Sequence, residues 1–295
     1  MTHKWYYGII LLGALLCFSA CGNNNKVENE ATTTEFVDSY NRTIEVPTSP
    51  KRVVSTSPSI TEIMFALGSG DLLVGRTDYC LYPKEAEKIE SIGGISNLNN
   101  EKVLSLNPDL VISGSMIPKK SALQLEQMNV PIVCIVENEN FEGLYDNISN
   151  VGKLIGKNKE ADSLNAKLQK DMETLAIENN ENKPTLYYVV GFGKAGNFTA
   201  NGKSYINDII ELAGAENIAK DTEDWTYSLE ELMNNDPNYI LIRQEDSALF
   251  CKTPPYNTLT SVKEGKVIAI ESGMIDLQVP RNIDAIKLIN KAINK

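Results

Sequence analysis

NKEADSLNAKLQKDMETLAIENN, Asn158 to Asn180, lies near the middle of this 295-residue chain. Its apolar residues are Ala161, Leu164, Leu168, Met172 and Leu175. Gaps of three and four place them on one narrow helical stripe, and the rest of the surface is polar and charged. At 1.5 Å per residue such a helix is roughly 33 Å long, about the width of a small domain. Strand and helix signals alternate on both sides of it. Taken alone, the stretch fits either a surface helix packed on one domain or a rod joining two α/β lobes.

On the N-terminal side, FVDSYNRTIEVP (36–47) predicts a hairpin turning at Asp38 to Arg42. Short apolar strands then alternate with helices: RVVSTS (52–57), a helix from Ile60 stopped by Gly68, LLVGRT (72–77), and a helix capped by Asn99. Pro108 opens DLVISG (109–114), Lys119 to Met128 reads as a helix, and PIVCIV (131–136) as a strand. That alternation predicts a parallel sheet covered on both faces. Ligands of such sheets sit beyond the carboxyl ends of the strands. One rim should therefore hold Ser57 to Ser59, Asp78 to Tyr82, Ser113 to Met116 and Glu137 to Asn140. Phe141 to Ile155 is a further amphipathic helix, stopped by Gly156.

The C-terminal side follows the same plan. TLYYVV (185–190) is a strand, and GFGKAGNF (191–198), with Phe192, is the loop after it. That loop does not match GxGxxG, and no GK[ST] follows, so it does not predict a nucleotide. Ser204 caps a helix to Ala213, and Ser228 with Glu231 forms a capping box. PNYILI (237–242) and KVIAI (266–270) are strands, and Arg281 to Ile293 is a closing helix.

The two sides echo each other. NNEKVLSLNPDLVI (99–112) matches SLEELMNNDPNYIL (228–241), with a cap two residues before Glu101 or Glu230 and proline seven after it. EIMFALG (62–68) matches DIIELAG (208–214). Matching units on both sides favour two lobes joined by the rod. Each glutamate sits at the second position of its helix, where the helix dipole stabilises a carboxylate. Stability alone explains them; a two-point acidic contact with a basic partner is the functional alternative.

Composition narrows the chemistry. The net charge of −11 argues against nucleic acid as a partner. The one histidine, His3, lies in a segment expected to be removed, which excludes His-dependent triads, common zinc sites and His-ligated haem. Cys80, Cys134 and Cys251 read as three small buried hydrophobes, with one disulfide and a leftover thiol as the alternative. Charge-free WYYGIILLGALLCFSA (5–20) is short for a membrane span and suits a signal sequence. Small residues before Cys21 resemble the bacterial lipobox, although Phe18 replaces its usual leucine, so Cys21 is the expected lipidation site. The polar stretch after it reads as a tether. The division is a signal peptide (1–20), a tether (21–34), an N-terminal lobe (35–157), the linker helix (158–180) and a C-terminal lobe (181–295).

RVVSTSPSITE (52–62), VGRTDYCLYP (74–83) and NNEKVLSLNPDLVI (99–112) resemble the helical-backbone substrate-binding proteins of ABC importers, carriers of vitamin B12, ferric siderophores and haem. GKSYIND (202–208), AGAEN (213–217) and Pro280-Arg281 extend the resemblance through the second lobe. It implies two Rossmann-like lobes joined by one long α-helix, a ligand cleft between them, and a monomeric lipoprotein that hands cargo to a permease and its ATPase. It implies that Glu101 and Glu230 dock on permease arginines. It places Tyr79, in the loop before Tyr82-Pro83, and Trp225 against a corrinoid, although Ile95 stands where one B12 carrier has a further tryptophan; Ser57, Tyr82, Phe192 and Arg281 are the further candidate ligand contacts. No resident cofactor and no catalysis are expected. A cobalamin-type corrinoid is the preferred cargo, with ferric siderophore or haem as alternatives. For an anionic chelate, Arg76, Lys194, Lys203, Arg243 and Arg281 are the candidate cations, and Tyr79, Tyr82 and Met116 the candidate haem ligands. An extracytoplasmic enzyme and a purely structural surface lipoprotein are the rival classes; the chain has no His base and no nucleophile elbow. A single helix bends less readily than a hinge of two or three strands, so a small closing motion is expected.

Overall fold

A computed structural model describes residues 32–114, 117, 119–136, 138–176 and 183–295. The signal peptide, Cys21, most of the tether, Met116 and Glu137 lie outside the described residues. Strands β1 (Thr33–Val37) and β2 (Thr43–Pro47) form the expected antiparallel hairpin. β1 starts inside the stretch assigned to the tether, because Thr33 and Thr34 pair with Pro47 and Val46. Asp38 fixes the turn: one carboxylate oxygen accepts from the backbone N–H groups of Tyr40 and Arg42, the other from the Arg42 side chain and the Cys134 N–H.

The first lobe continues with β3 (Val53–Ser55), α1 (Pro58–Ala66), β4 (Leu73–Arg76), α2 (Asn100–Ser105), β5 (Leu110–Ser113), α3 (Lys119–Gln127), β6 (Ile132–Cys134) and α4 (Gly143–Leu154). Its sheet is parallel, in the order β4-β3-β5-β6. α1 begins two residues before the expected Ile60, because Pro58 takes the first helical turn, where its missing N–H costs nothing.

Helix α5 (Asn158–Ala176) is the rod, 19 residues and therefore roughly 28 Å long. Its predicted last residues, 177–180, lie outside the described residues. Ala161, Leu168 and Leu175 are buried, and Leu164 and Met172 pack beside them, as the stripe requires. α4 crosses α5 closely at Gly152, where an added Cβ would stand 2.6 Å from that of Ala161.

The second lobe contains β7 (Thr185–Val189), α6 (Tyr205–Leu212), β8 (Glu216–Asn217), α7 (Leu229–Asn235), β9 (Tyr239–Arg243), α8 (Gln244–Phe250), α9 (Thr260–Lys263), β10 (Val267–Ile270) and α10 (Asn282–Ile293). Its parallel sheet runs β10-β9-β7-β8. Read from the other edge, the four strands of each lobe take the same order, second-first-third-fourth. The repeat therefore extends from sequence to topology. Gly68 and Gly214, its matched glycines, both follow their helices at positive φ, +68° and +91°, where a side chain would be strained.

The lobes are not held by α5 alone. One apolar core runs from Ile60, Leu144 and Ile148 through Leu168 to Leu186, Ile209 and Ile286. Lys287 on α10 bonds Asp171 on α5 at 2.8 Å. The amide of buried Gln278 donates to the Asn138 and Asn140 carbonyls at 2.7 and 2.8 Å and accepts from Asn147 at 3.1 Å.

Candidate ligand-binding site

The carboxyl ends of β3 and β4 and the chain after β10 enclose a cavity of about 680 Å³. Pro58, Glu62, Tyr79, Tyr82 and Ile95 line it from the first lobe, and Arg243, Asp276 and Arg281 from the second. Four predicted residues meet here: Tyr79, Tyr82, Arg281 and the candidate cation Arg243. Tyr79 is 62% exposed, so its ring is free to stack. The Arg281 guanidinium lies 3.6 Å from the Tyr82 ring centroid, a cation–π contact.

Arg281 is only 9% exposed and Glu62 only 4%. They form a forked pair across the lobes: Nε donates to Glu62 Oε1 at 2.8 Å and Nη2 to Oε2 at 2.9 Å. Burial raises the Glu62 carboxyl, Arg281 opposes this, and the net shift is upward. For Arg281 burial pulls downward, yet Glu62 leaves it above its usual value. Glu62 was not among the expected site residues. Its signal was present: a carboxylate among Ile60, Ile63 and Met64 on a buried helix needs a partner.

On the other side, Arg243 donates to Asp246 at 3.1 Å and to the Val190 carbonyl at 2.9 Å. The hydroxyl of buried Tyr188 donates to Asp276. Burial pushes that phenol far above its usual pKa, so it remains a donor.

The other expected contacts lie elsewhere. Trp225, 41% exposed, lines a second depression of about 540 Å³ with Asn138, Glu139 and Lys203. Ser57 is buried one residue before cavity-lining Pro58, with its hydroxyl 2.8 Å from that of Ser59. The Phe192 ring packs edge-on against Phe250 and Tyr256, at 5.2 and 5.7 Å between centroids, inside the second lobe. Arg76 is buried and directs its N–H groups to the Ala86, Thr77 and Glu87 carbonyls. Cys80, Cys134 and Cys251 are free thiols. Among the described residues, no group of three or more His, Cys, Asp or Glu side chains is placed to hold a metal ion.

Glu101 and Glu230 are exposed at the second positions of α2 and α7. Asn99 accepts from the Lys102 N–H at 3.0 Å and Ser228 from the Glu231 N–H at 3.1 Å, so both helix starts are capped alike. Neither Glu101 nor Glu230 has an ion-pair or hydrogen-bond partner among the described residues.

The periplasmic binding protein family matches this sequence over residues 53–273. An uncharacterized ABC transporter substrate-binding lipoprotein of Bacillus subtilis, YvrC, is 28% identical over 96% of this chain and 95% of its own. A cobalamin-binding protein of Halobacterium salinarum is 25% identical over 84% of this chain and 70% of its own. A solved periplasmic haem-binding protein of Pseudomonas aeruginosa has the same fold, with a TM-score of 0.75 and 24% identity over 82% of this chain and 92% of that one. These relatives are binding proteins and not enzymes. Two lobes of matched topology, an interlobe cavity and a family match spanning both sheets agree: this chain belongs to the periplasmic binding protein family.

Proposed function

We propose that the chain is the lipid-anchored, extracytoplasmic binding protein of an ABC importer, and that it captures a cobalamin-type corrinoid between its lobes, 35–157 and 181–295. One observation carries this reading: an open cavity of about 680 Å³ between the lobes, flanked by Tyr79 and Tyr82 and by apolar Leu81, Ile95 and Leu277. Its volume falls in the usual range for small-molecule sites, and aromatic faces suit a flat macrocycle. Trp225, on the second depression, offers a further exposed aromatic face. The protein works as a monomer and reaches the membrane through lipid on Cys21. Glu101 and Glu230 meet basic residues of the permease, and the associated ATPase drives release.

Haem is the second reading, because the Tyr79 and Tyr82 hydroxyls are phenolic groups of the kind that bind haem iron axially. Absorbance and calorimetric titration of the full chain with cyanocobalamin, haemin and ferric hydroxamates separates the readings. Cyanocobalamin is expected to saturate one site at micromolar concentration or tighter. No binding at that level, with tight binding of an iron chelate, makes the corrinoid assignment wrong.

A further inference from the structure

We infer that the cavity selects an electrically neutral or cationic chelate and rejects an anionic one, because the protein already neutralises each cation that lines it. The inference rests on this cavity being the ligand site.

Two cations line the cavity, Arg243 and Arg281. Both forked hydrogen bonds of Arg281 go to Glu62, and Glu271 stands 3.5 Å from its Nη1. Arg243 is held by Asp246 at 3.1 Å. Two carboxylates also line the wall, Glu62 and Asp276, and Asp276 is bonded to the uncharged Tyr188 hydroxyl. Arg281 is therefore matched by Glu62 and Glu271 and Arg243 by Asp246, with Asp276 a further carboxylate on the wall. Beside Trp225 the balance is similar, with Lys203 facing Glu139, Glu223 and Asp224. Arg76 is turned to backbone carbonyls and does not line the wall.

To hold Arg281 in a fork, an anionic ligand would have to take it from Glu62, because the remaining Nη1 already faces Glu271 at 3.5 Å. That leaves a carboxylate buried and unpaired, the costly half of a broken ion pair. It would also approach a wall whose two cations are matched by its own two carboxylates and backed by Asp246 and Glu271, on a chain of net charge −11. An uncharged ligand meets neither obstacle. Arg281 Nη1 has no hydrogen-bond partner among the described residues, so it can donate to an uncharged acceptor such as an amide carbonyl.

The test titrates the full chain with cyanocobalamin, which is uncharged, ferrioxamine B, a monocation, and a ferric tris-catecholate, a trianion. The trianion is expected to bind at least about 100-fold more weakly than the better of the other two. Asp246→Asn combined with Asp276→Asn is expected to shrink that gap by about tenfold. These isosteric changes remove charge and keep an oxygen acceptor for Arg243 and for Tyr188. Binding of the trianion within about tenfold of the best ligand overturns the inference, as does an unchanged gap in the double variant. Failure of both the neutral and the cationic chelate overturns it too. Binding of ferrioxamine B without cyanocobalamin sinks only the corrinoid reading and supports the charge selection.

Discussion

The two lobes share one strand order and yet bring different chemistry to the cleft. The first supplies tyrosines, Tyr79 and Tyr82, and the second supplies arginines, Arg243 and Arg281. Glu62 on α1 and Asp208 on α6 hold the same place in the repeat. Each reaches the chain that follows the last strand of the opposite lobe. Glu62 meets a charged side chain, Arg281, in a buried fork. Among the described residues Asp208 accepts only the Phe141 backbone N–H, at 2.9 Å, and burial raises its pKa. The repeat sets the frame and the shared strand order. Departures from it set which face binds and how firmly each end of the cleft is tied. The core is continuous across both lobes, which supports the expectation of a small closing motion.

Reversing the matched pair, Glu101→Lys with Glu230→Lys, should abolish uptake in a transport assay while ligand affinity stays unchanged. If one reversal alone has the full effect, the two lobes do not dock equivalently; unchanged uptake in the double variant removes the docking assignment.

The lobe ties should differ in strength. Glu62→Ala leaves Arg281 buried without its partner and should cost about 3–5 kcal/mol in urea unfolding. Asp208→Ala, at the matched position, removes one hydrogen bond and should cost about 0.5–1.5 kcal/mol. Equal losses would show that the ties are equivalent.

The first lobe also carries the β1–β2 hairpin, which Asp38 ties to β6. Burial pulls the Asp38 carboxyl up, but hydrogen bonds from Arg42 outweigh it and hold the pKa below its usual value. Its stabilisation is therefore full above the unfolded pKa, near 4, and lost as pH falls through the lower folded value. Asp38→Asn should cost about 2 kcal/mol at neutral pH and flatten stability against pH below about pH 4. A wild-type acid limb retained by the variant would contradict this.

At the ligand face, Tyr79→Ala should weaken binding by about 1 kcal/mol, several-fold in Kd, without lowering the melting temperature. Phe192→Ala should do the opposite, lowering stability and sparing affinity, since its ring packs on Phe250 and Tyr256.

Short-range features were legible in the sequence. The caps at Asn99 and Ser228, the stop glycines and the stripe of α5 are each written within a few residues, so local rules reach them. The repeat alone singles out Glu101 and Glu230. Long-range pairing was not legible. Glu62 and Arg281 stand 219 residues apart, and nothing local names a partner. Alternating strands and helices put Ser57, Tyr79 and Phe192 each on a loop after its strand, but side-chain direction decides the outcome. Tyr79 points out, whereas Phe192 turns into the lobe. α8 was missed because it follows β9 directly, with Arg243 at its N-cap position and no side-chain cap to announce it.

Hydrogen–deuterium exchange with and without saturating cyanocobalamin tests the interlobe site most directly. The predicted result is protection on both lips of the cavity together, around residues 79–82 in the first lobe and 272–281 in the second. Protection confined to one lobe, or lying away from both lips, would contradict a ligand held between them.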